Sequence, residues 1–203
     1  MTTSNSNPSR TTSVFVLQIV GFKNSGKTTL TAEMIRRFKG LGFKVGTVKH
    51  DAHHFTIDTP GTDTWKHQQA GADVTAISSP ERSAIMRNSP EPLHGLLAQM
   101  ADMDIVFVEG FKHELYPKLV LLKEPEDIKL LLTLHAVAAV AVWPSFCIPA
   151  ANCVVPSDTP QPITDHVSAA ASFSLEEDRK LFQLEDLTGI FQWIHAQLMK
   201  HRE

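Results

Sequence analysis

The chain is poor in cysteine, has no strong excess of charge of either sign, and holds no apolar run long enough for a membrane. Each shortage excludes something. Two cysteines in 203 residues, Cys147 and Cys153, make no disulfide framework, and neither has a Cys-x-x-Cys partner. They read as buried or idle thiols. Nineteen Lys and Arg against 22 Asp and Glu leave a formal net charge of −3, which argues against a broadly basic nucleic-acid binder. The longest nearly apolar stretch, Leu130 to Trp143, is broken by Thr133 and His135 and stopped by Pro144. A spanning helix needs roughly 18 or more apolar residues, so no membrane segment is expected. Met1 to Arg10 has no hydrophobic core and no small-residue cleavage pattern, so it does not read as a secretory signal. Residues 1–12 are expected to form a disordered leader, residues 13–203 a single domain, and the protein is expected in the cytoplasm.

What is present reads as an alternation of strands and helices. Val14 to Val20 is a β-branched and aromatic run ending at Gly21, the pattern of a buried strand. From Thr28 to Lys39 the apolar residues Leu30, Met34, Ile35 and Phe38 share one helical face, and Gly40 and Gly42 supply the stop. Further strands are expected at Val45–Val48, Val74–Ile77, Ala84–Met86, Ile105–Val108, Leu119–Leu122 and Ala136–Val142. Short helices are expected at His67–Ala72, Pro92–Met100 and Pro125–Leu134, with a terminal amphipathic helix over Leu187–Lys200. Residues 49–64 and the Pro-rich stretch 143–164 read as loops. The alternation predicts an α/β fold, a mostly parallel central sheet with helices on both faces.

Gly21-Phe-Lys-Asn-Ser-Gly26-Lys27-Thr28 matches the phosphate-loop pattern between a predicted strand and a predicted helix. At average residue usage a chance match in a chain of this length is roughly 0.7%. The chemistry needs this spacing. Glycines let the backbone curl so that successive N–H groups face phosphate oxygens, and the helix that follows aims its positive end at the same place. Lys27 is expected on the β- and γ-phosphates, and the Thr28 hydroxyl on a Mg²⁺ ion that bridges them. The candidate nucleotide contacts are Gly21, Lys23, Asn24, Ser25, Gly26, Lys27, Thr28 and Thr29. Asp104-Ile-Val-Phe-Val-Glu109-Gly110 places a carboxylate at the carboxyl end of a second buried strand, where ligands bind in such sheets. Glu109 is therefore the second candidate on the metal side; the alternative is a strand-terminal acid paired with Lys112.

The loop Lys49 to Asp58 carries His50, His53 and His54, and Asp63 and His67 follow. Two readings compete. In one, this is a switch-like loop beside the γ-phosphate, with Asp58 or Asp63 near Mg²⁺. In the other, the imidazoles bind a transition metal, although the spacing matches no standard zinc pattern.

The ordered series resembles one family. It runs from the phosphate loop through Val48-Lys49-His50, His53-His54-Phe55, Asp58, Gly61-Thr-Asp63-Thr64, His67 and Ala70-Gly71-Ala72 to Val108-Glu109-Gly110-Phe111-Lys112 and Pro117-Lys118. It is similar to the MobB family of molybdopterin-guanine dinucleotide biosynthesis adaptor proteins, from about Val14 to the terminal helix. The resemblance departs at Thr62, where the family commonly has lysine. It implies a homodimeric GTP-binding protein, at most a weak GTPase, that uses Mg²⁺ and assists a guanylyltransferase joining GMP to molybdopterin. It also implies His50, Asp58 and Asp63 as nucleotide-side residues and allows a molybdopterin-related ligand. Guanine choice rests on the resemblance, because no Asn-Lys-x-Asp segment is present. A metal-delivery GTPase using the histidine loop and a small-molecule kinase on the same scaffold are the alternatives. The second lacks an arginine-rich lid.

Overall fold

A computed structural model describes residues 14–51, 55–146 and 179–203. The leader, His53, His54, both cysteines and most of the 143–164 stretch lie outside the described residues. The chain falls into two compact units. One runs up to His50 and resumes at Met100; the other is Asp51–Gln99, spliced into the first along the sequence.

The first unit is built on a sheet of six strands: β1 (Phe15–Val20), β2 (Val45–Lys49), β5 (Ile105–Glu109), β6 (Lys118–Leu122), β7 (Val137–Val142) and β8 (Lys180–Gln183). Their order is β2-β5-β1-β6-β7-β8, and every pairing is parallel. Parallel strands need both faces covered, which is why the central strands read as continuous apolar runs. Alternate residues serve opposite cores. Leu119 and Leu121 face a cluster containing Leu17, Ile19, Ile105 and Phe107, with Leu30, Met34 and Phe38 from helix α1 (Lys27–Gly40) and Ile190, Ile194 and Leu198 from helix α5 (Leu187–Arg202). Val120 and Leu122 face the other side, with Val20, Val140, Val142 and the short helix α4 (Lys129–Thr133).

Two details of this unit differ from the sequence reading. The helix expected over Pro125–Leu134 splits into a 3₁₀ turn, Pro125–Ile128, and α4. The Asp127 carboxylate accepts the N–H groups of Lys123 (2.8 Å) and Glu124 (3.1 Å), and this closure tightens the first turn. β8 was not expected at all. It is a four-residue edge strand whose Leu181 is 42% exposed, so it carries no buried run to read.

The second unit holds helix α2 (Asp63–Gln69), the antiparallel hairpin β3 (Val74–Ser78) and β4 (Ser83–Arg87), and helix α3 (Leu93–Ala98). α2 starts four residues earlier than expected because Thr62 caps it: its Oγ1 accepts the Trp65 N–H. The residue that departs from the family pattern thus has a structural task here.

Candidate functional site

The carboxyl ends of β1, β5, β6 and β7 meet at one edge of the sheet, and the phosphate loop leaves β1 there. The loop is held open by conformations that ordinary residues avoid: φ is +61° at Asn24 and +93° at Gly26. Gly21 is required by close approach. A Cβ there would lie 2.4 Å from Ser25 Oγ and 3.0 Å from the Leu121 carbonyl oxygen. Inside the loop, Ser25 Oγ is buried and has no hydrogen-bond partner among the described residues. Trp143, just past β7, donates its indole N–H to the Ser25 carbonyl (2.9 Å) and so braces the loop from outside. Lys23, Asn24, Thr28 and Thr29 are exposed.

Lys27 turns back on its own loop and donates to the Phe22 carbonyl (2.6 Å). Its pKa is lowered, first by burial, with Lys112 and Lys49 adding to the effect and Glu109 opposing it. A cation held this way gains from an anion placed beside it. Opposite, Glu109 ends β5 in register with Ile19 of β1 and is buried. Its Oε2 accepts the Thr28 hydroxyl at 3.0 Å. The alternative pairing with Lys112 is not what forms: Lys112 Nζ lies over the Phe22 ring, 4.8 Å from its centroid. A hydroxyl and a carboxylate side by side are the hard oxygen donors that Mg²⁺ prefers. The orphaned Ser25 hydroxyl, the folded-back lysine and the Thr28–Glu109 oxygen pair together fit a magnesium–polyphosphate group.

Behind Glu109 the chain makes a tight left-handed turn. Gly110 has φ +92° and Phe111 φ +49°. The His50 N–H donates to the Glu109 carbonyl (2.8 Å), and the His50 and Phe111 rings lie 4.8 Å apart. His50 is thereby tied to the same strand end as Glu109. A Cβ on Gly110 would sit 2.9 Å from His50 Cβ. Gly110→Ala should therefore cost about 2–3 kcal/mol, from backbone strain and this clash together. Denaturant unfolding checks this, and an unchanged midpoint contradicts it.

Asp58 and Asp63 belong to the second unit, where each has local partners. Asp58 accepts the Thr59 N–H (2.8 Å), the Thr62 hydroxyl (3.0 Å) and the Gln68 amide (3.0 Å). Desolvation pushes its pKa up, but hydrogen bonds from Thr64, Thr62, Thr59 and Gln68 prevail and hold it below the ordinary 3.8. Its contribution to local stability is thus present above pH 3.8 and is lost as pH falls through the lower folded value. An NMR pH titration should show the Thr59 backbone amide and the Gln68 side-chain amide shifting together only in that acid window; a transition above it contradicts the assignment. Asp63 opens α2, where an acid suits the helix dipole, and pairs with Lys66. Among the described residues no group of three or more His, Cys, Asp or Glu could hold a metal ion. No helix among them is long and apolar enough to cross a membrane.

Sequence reasoning singled out the phosphate loop and Glu109. It assigned no role to Gln18, Lys118 or Trp143. A glutamine inside the apolar run Phe15–Val20 was the available signal for the first.

Comparison with known proteins gives the chain's family. A family model described as molybdopterin guanine dinucleotide synthesis protein B matches residues 16–143, from β1 to Trp143. The molybdopterin-guanine dinucleotide biosynthesis adapter protein of Haemophilus influenzae is 38% identical over 110 residues, covering 52% of this chain and 62% of that relative. The Escherichia coli protein of the same name is 32% identical over 144 residues, covering 66% of this chain and 81% of that relative. The crystal structure of a MobB homolog from Bacillus stearothermophilus superposes with a TM-score of 0.62 at 27% identity, covering 91% of this chain and 98% of that one. The chain belongs to the molybdopterin guanine dinucleotide synthesis protein B family.

Proposed function

We propose that this chain is a GTP-binding adapter in the synthesis of molybdopterin guanine dinucleotide, with the phosphate loop and Glu109 as its nucleotide site. The observation that carries the nucleotide part is the Thr28 hydroxyl on the Glu109 carboxylate at 3.0 Å, beside a lysine folded back on its own loop. The adapter role is supported by family membership. In this reading Lys27 leaves the Phe22 carbonyl for the β- and γ-phosphate oxygens, and the loop N–H groups take the remaining oxygens. Thr28 and Glu109 would hold Mg²⁺, which would supply positive charge to offset that of the phosphates. Glu109 and Thr28 need no rearrangement to do this, because they already face one another. In this reading the chain is at most a weak GTPase, and the bound nucleotide serves a partner guanylyltransferase.

The homodimer belongs to the same proposal. A two-stranded hairpin is marginal alone. In β3–β4, Val74 and Ile85 lie on one face and are 45% and 64% exposed. Asp58 and Asp63 as nucleotide-side residues, and a cytoplasmic location, also stand as parts of this reading.

Calorimetric titration with GTP and then ATP, each with Mg²⁺, tests the choice of base. A clear preference for GTP is expected. Equal or tighter binding of ATP overturns the guanine assignment and favours a kinase-like use of the same loop.

A further inference from the structure

Two side chains in the middle of the sheet are chemically out of place. Gln18 of β1 and Lys118 of β6 are both completely buried, and they are neighbours in the parallel register. Removing an amide and an ammonium from water is unfavourable, and an apolar side chain would satisfy the sheet at either position. What they do instead is grip one segment. The Gln18 amide donates to the carbonyls of Gly110 (3.0 Å) and Phe111 (2.7 Å). Lys118 Nζ donates to the carbonyls of Glu114 and Tyr116. The Gln18 backbone N–H takes the Pro117 carbonyl (2.9 Å). Five carbonyls of the connection 110–117 are thus bound by two adjacent residues. That connection begins at the left-handed turn directly behind Glu109 and carries Lys112 onto Phe22 of the phosphate loop.

We propose that Gln18 and Lys118 are positioning residues for the magnesium side of the nucleotide site: by holding the 110–117 connection through its carbonyls they present Glu109 to Thr28. This inference rests on the nucleotide reading above. Without the grip, what still holds the turn at Gly110–Phe111 among the described residues is the His50 contacts, the Gly110 N–H on the Ile19 carbonyl (3.5 Å) and the Glu114 N–H on the Phe111 carbonyl (3.0 Å). The Glu109 carboxylate then samples positions away from Thr28. The phosphate loop keeps its brace, the Trp143 indole on the Ser25 carbonyl, which the grip does not touch. The two effects separate experimentally. A positioning role weakens metal-supported binding and spares metal-free binding, whereas general damage to the fold weakens both.

The test is a titration of wild type and Gln18→Leu with GTP, once in Mg²⁺ and once in excess EDTA. In Mg²⁺ the variant should bind about 10-fold more weakly, and in EDTA within about 2-fold of wild type. An equal loss in both conditions, or no loss in either, overturns the positioning role. A wild type that binds GTP equally well with and without Mg²⁺ overturns the magnesium reading itself, and this inference with it. The unmodified protein supplies a second measurement that does not depend on the variant folding. The Gln18 side-chain amide protons should be protected from solvent exchange before any nucleotide is added. Exchange at the rate of a free amide contradicts the grip.

Discussion

Replacing Lys27 with alanine is expected to weaken nucleoside triphosphate binding by about 100-fold or more while leaving the fold in place. The binding loss follows from what the ammonium can reach. Lys27 sits at the start of α1 with its Nζ on the Phe22 carbonyl, inside the curl of the loop. Two charge-assisted hydrogen bonds to phosphate oxygens at about 1.5 kcal/mol or more each correspond to about 100-fold in affinity. The stability effect should be small, because two contributions oppose one another. The variant loses the bond to Phe22. It also loses a cation that burial, Lys112 and Lys49 disfavour, with only Glu109 supporting it. The unfolding free energy should stay within about 1 kcal/mol of wild type. Calorimetry and denaturant unfolding on the same preparation check both halves. A variant that keeps wild-type affinity removes the phosphate loop from the account.

Phe38→Ala should have the largest effect on stability, about 3–5 kcal/mol. Phe38 is completely buried in the last turns of α1. Its ring meets Phe43 (5.6 Å), Phe107 of β5 (5.9 Å) and Phe191 of α5 (5.0 Å) between centroids, with His195 6.3 Å away. Edge-on and tilted aromatic contacts of this kind add to plain burial. This one side chain therefore links the helix that carries Lys27 and Thr28 to the sheet and to the terminal helix. Truncation leaves a cavity lined by three aromatic rings that cannot close it without moving an element. Nucleotide should recover part of the loss, since a ligand at about 100 times its Kd adds about 2.7 kcal/mol to the native state. Unfolding curves with and without Mg²⁺ and GTP check this. A loss below about 1 kcal/mol contradicts the packing described.

The legible parts of the molecule are those whose chemistry is local. The phosphate loop can be read because its spacing is a backbone requirement: a glycine where Ser25 approaches, a left-handed residue at position 26, then Lys27 and Thr28 on the first helical turn. Glu109 can be read because a carboxylate ends an apolar run. The parallel sheet follows from continuous apolar strands with helical periods between them. What could not be read depends on partners far along the chain. Gln18 answers to carbonyls 92 and 93 residues away, and the Trp143 indole to one 118 residues away. A glutamine within the apolar run Phe15–Val20 marks Gln18 as unusual, but no local pattern names the carbonyls that either side chain reaches. β8 escaped because an edge strand of four residues buries little. The early start of α2 escaped because Thr62 was not recognised as its cap. Charge marks Asp58 in the sequence, but its bonds to Thr59, Thr62 and Gln68 become visible only in the folded unit.

The proposed function stands on the phosphate loop and Glu109 together making a magnesium–nucleoside triphosphate site. Titration of the wild-type chain with GTP in Mg²⁺ and in excess EDTA tests it most directly. Saturable one-to-one binding at least about 10-fold tighter with the metal is expected if, as proposed, Thr28 and Glu109 hold it. Binding of equal strength in the two conditions, or no binding in either, would contradict it.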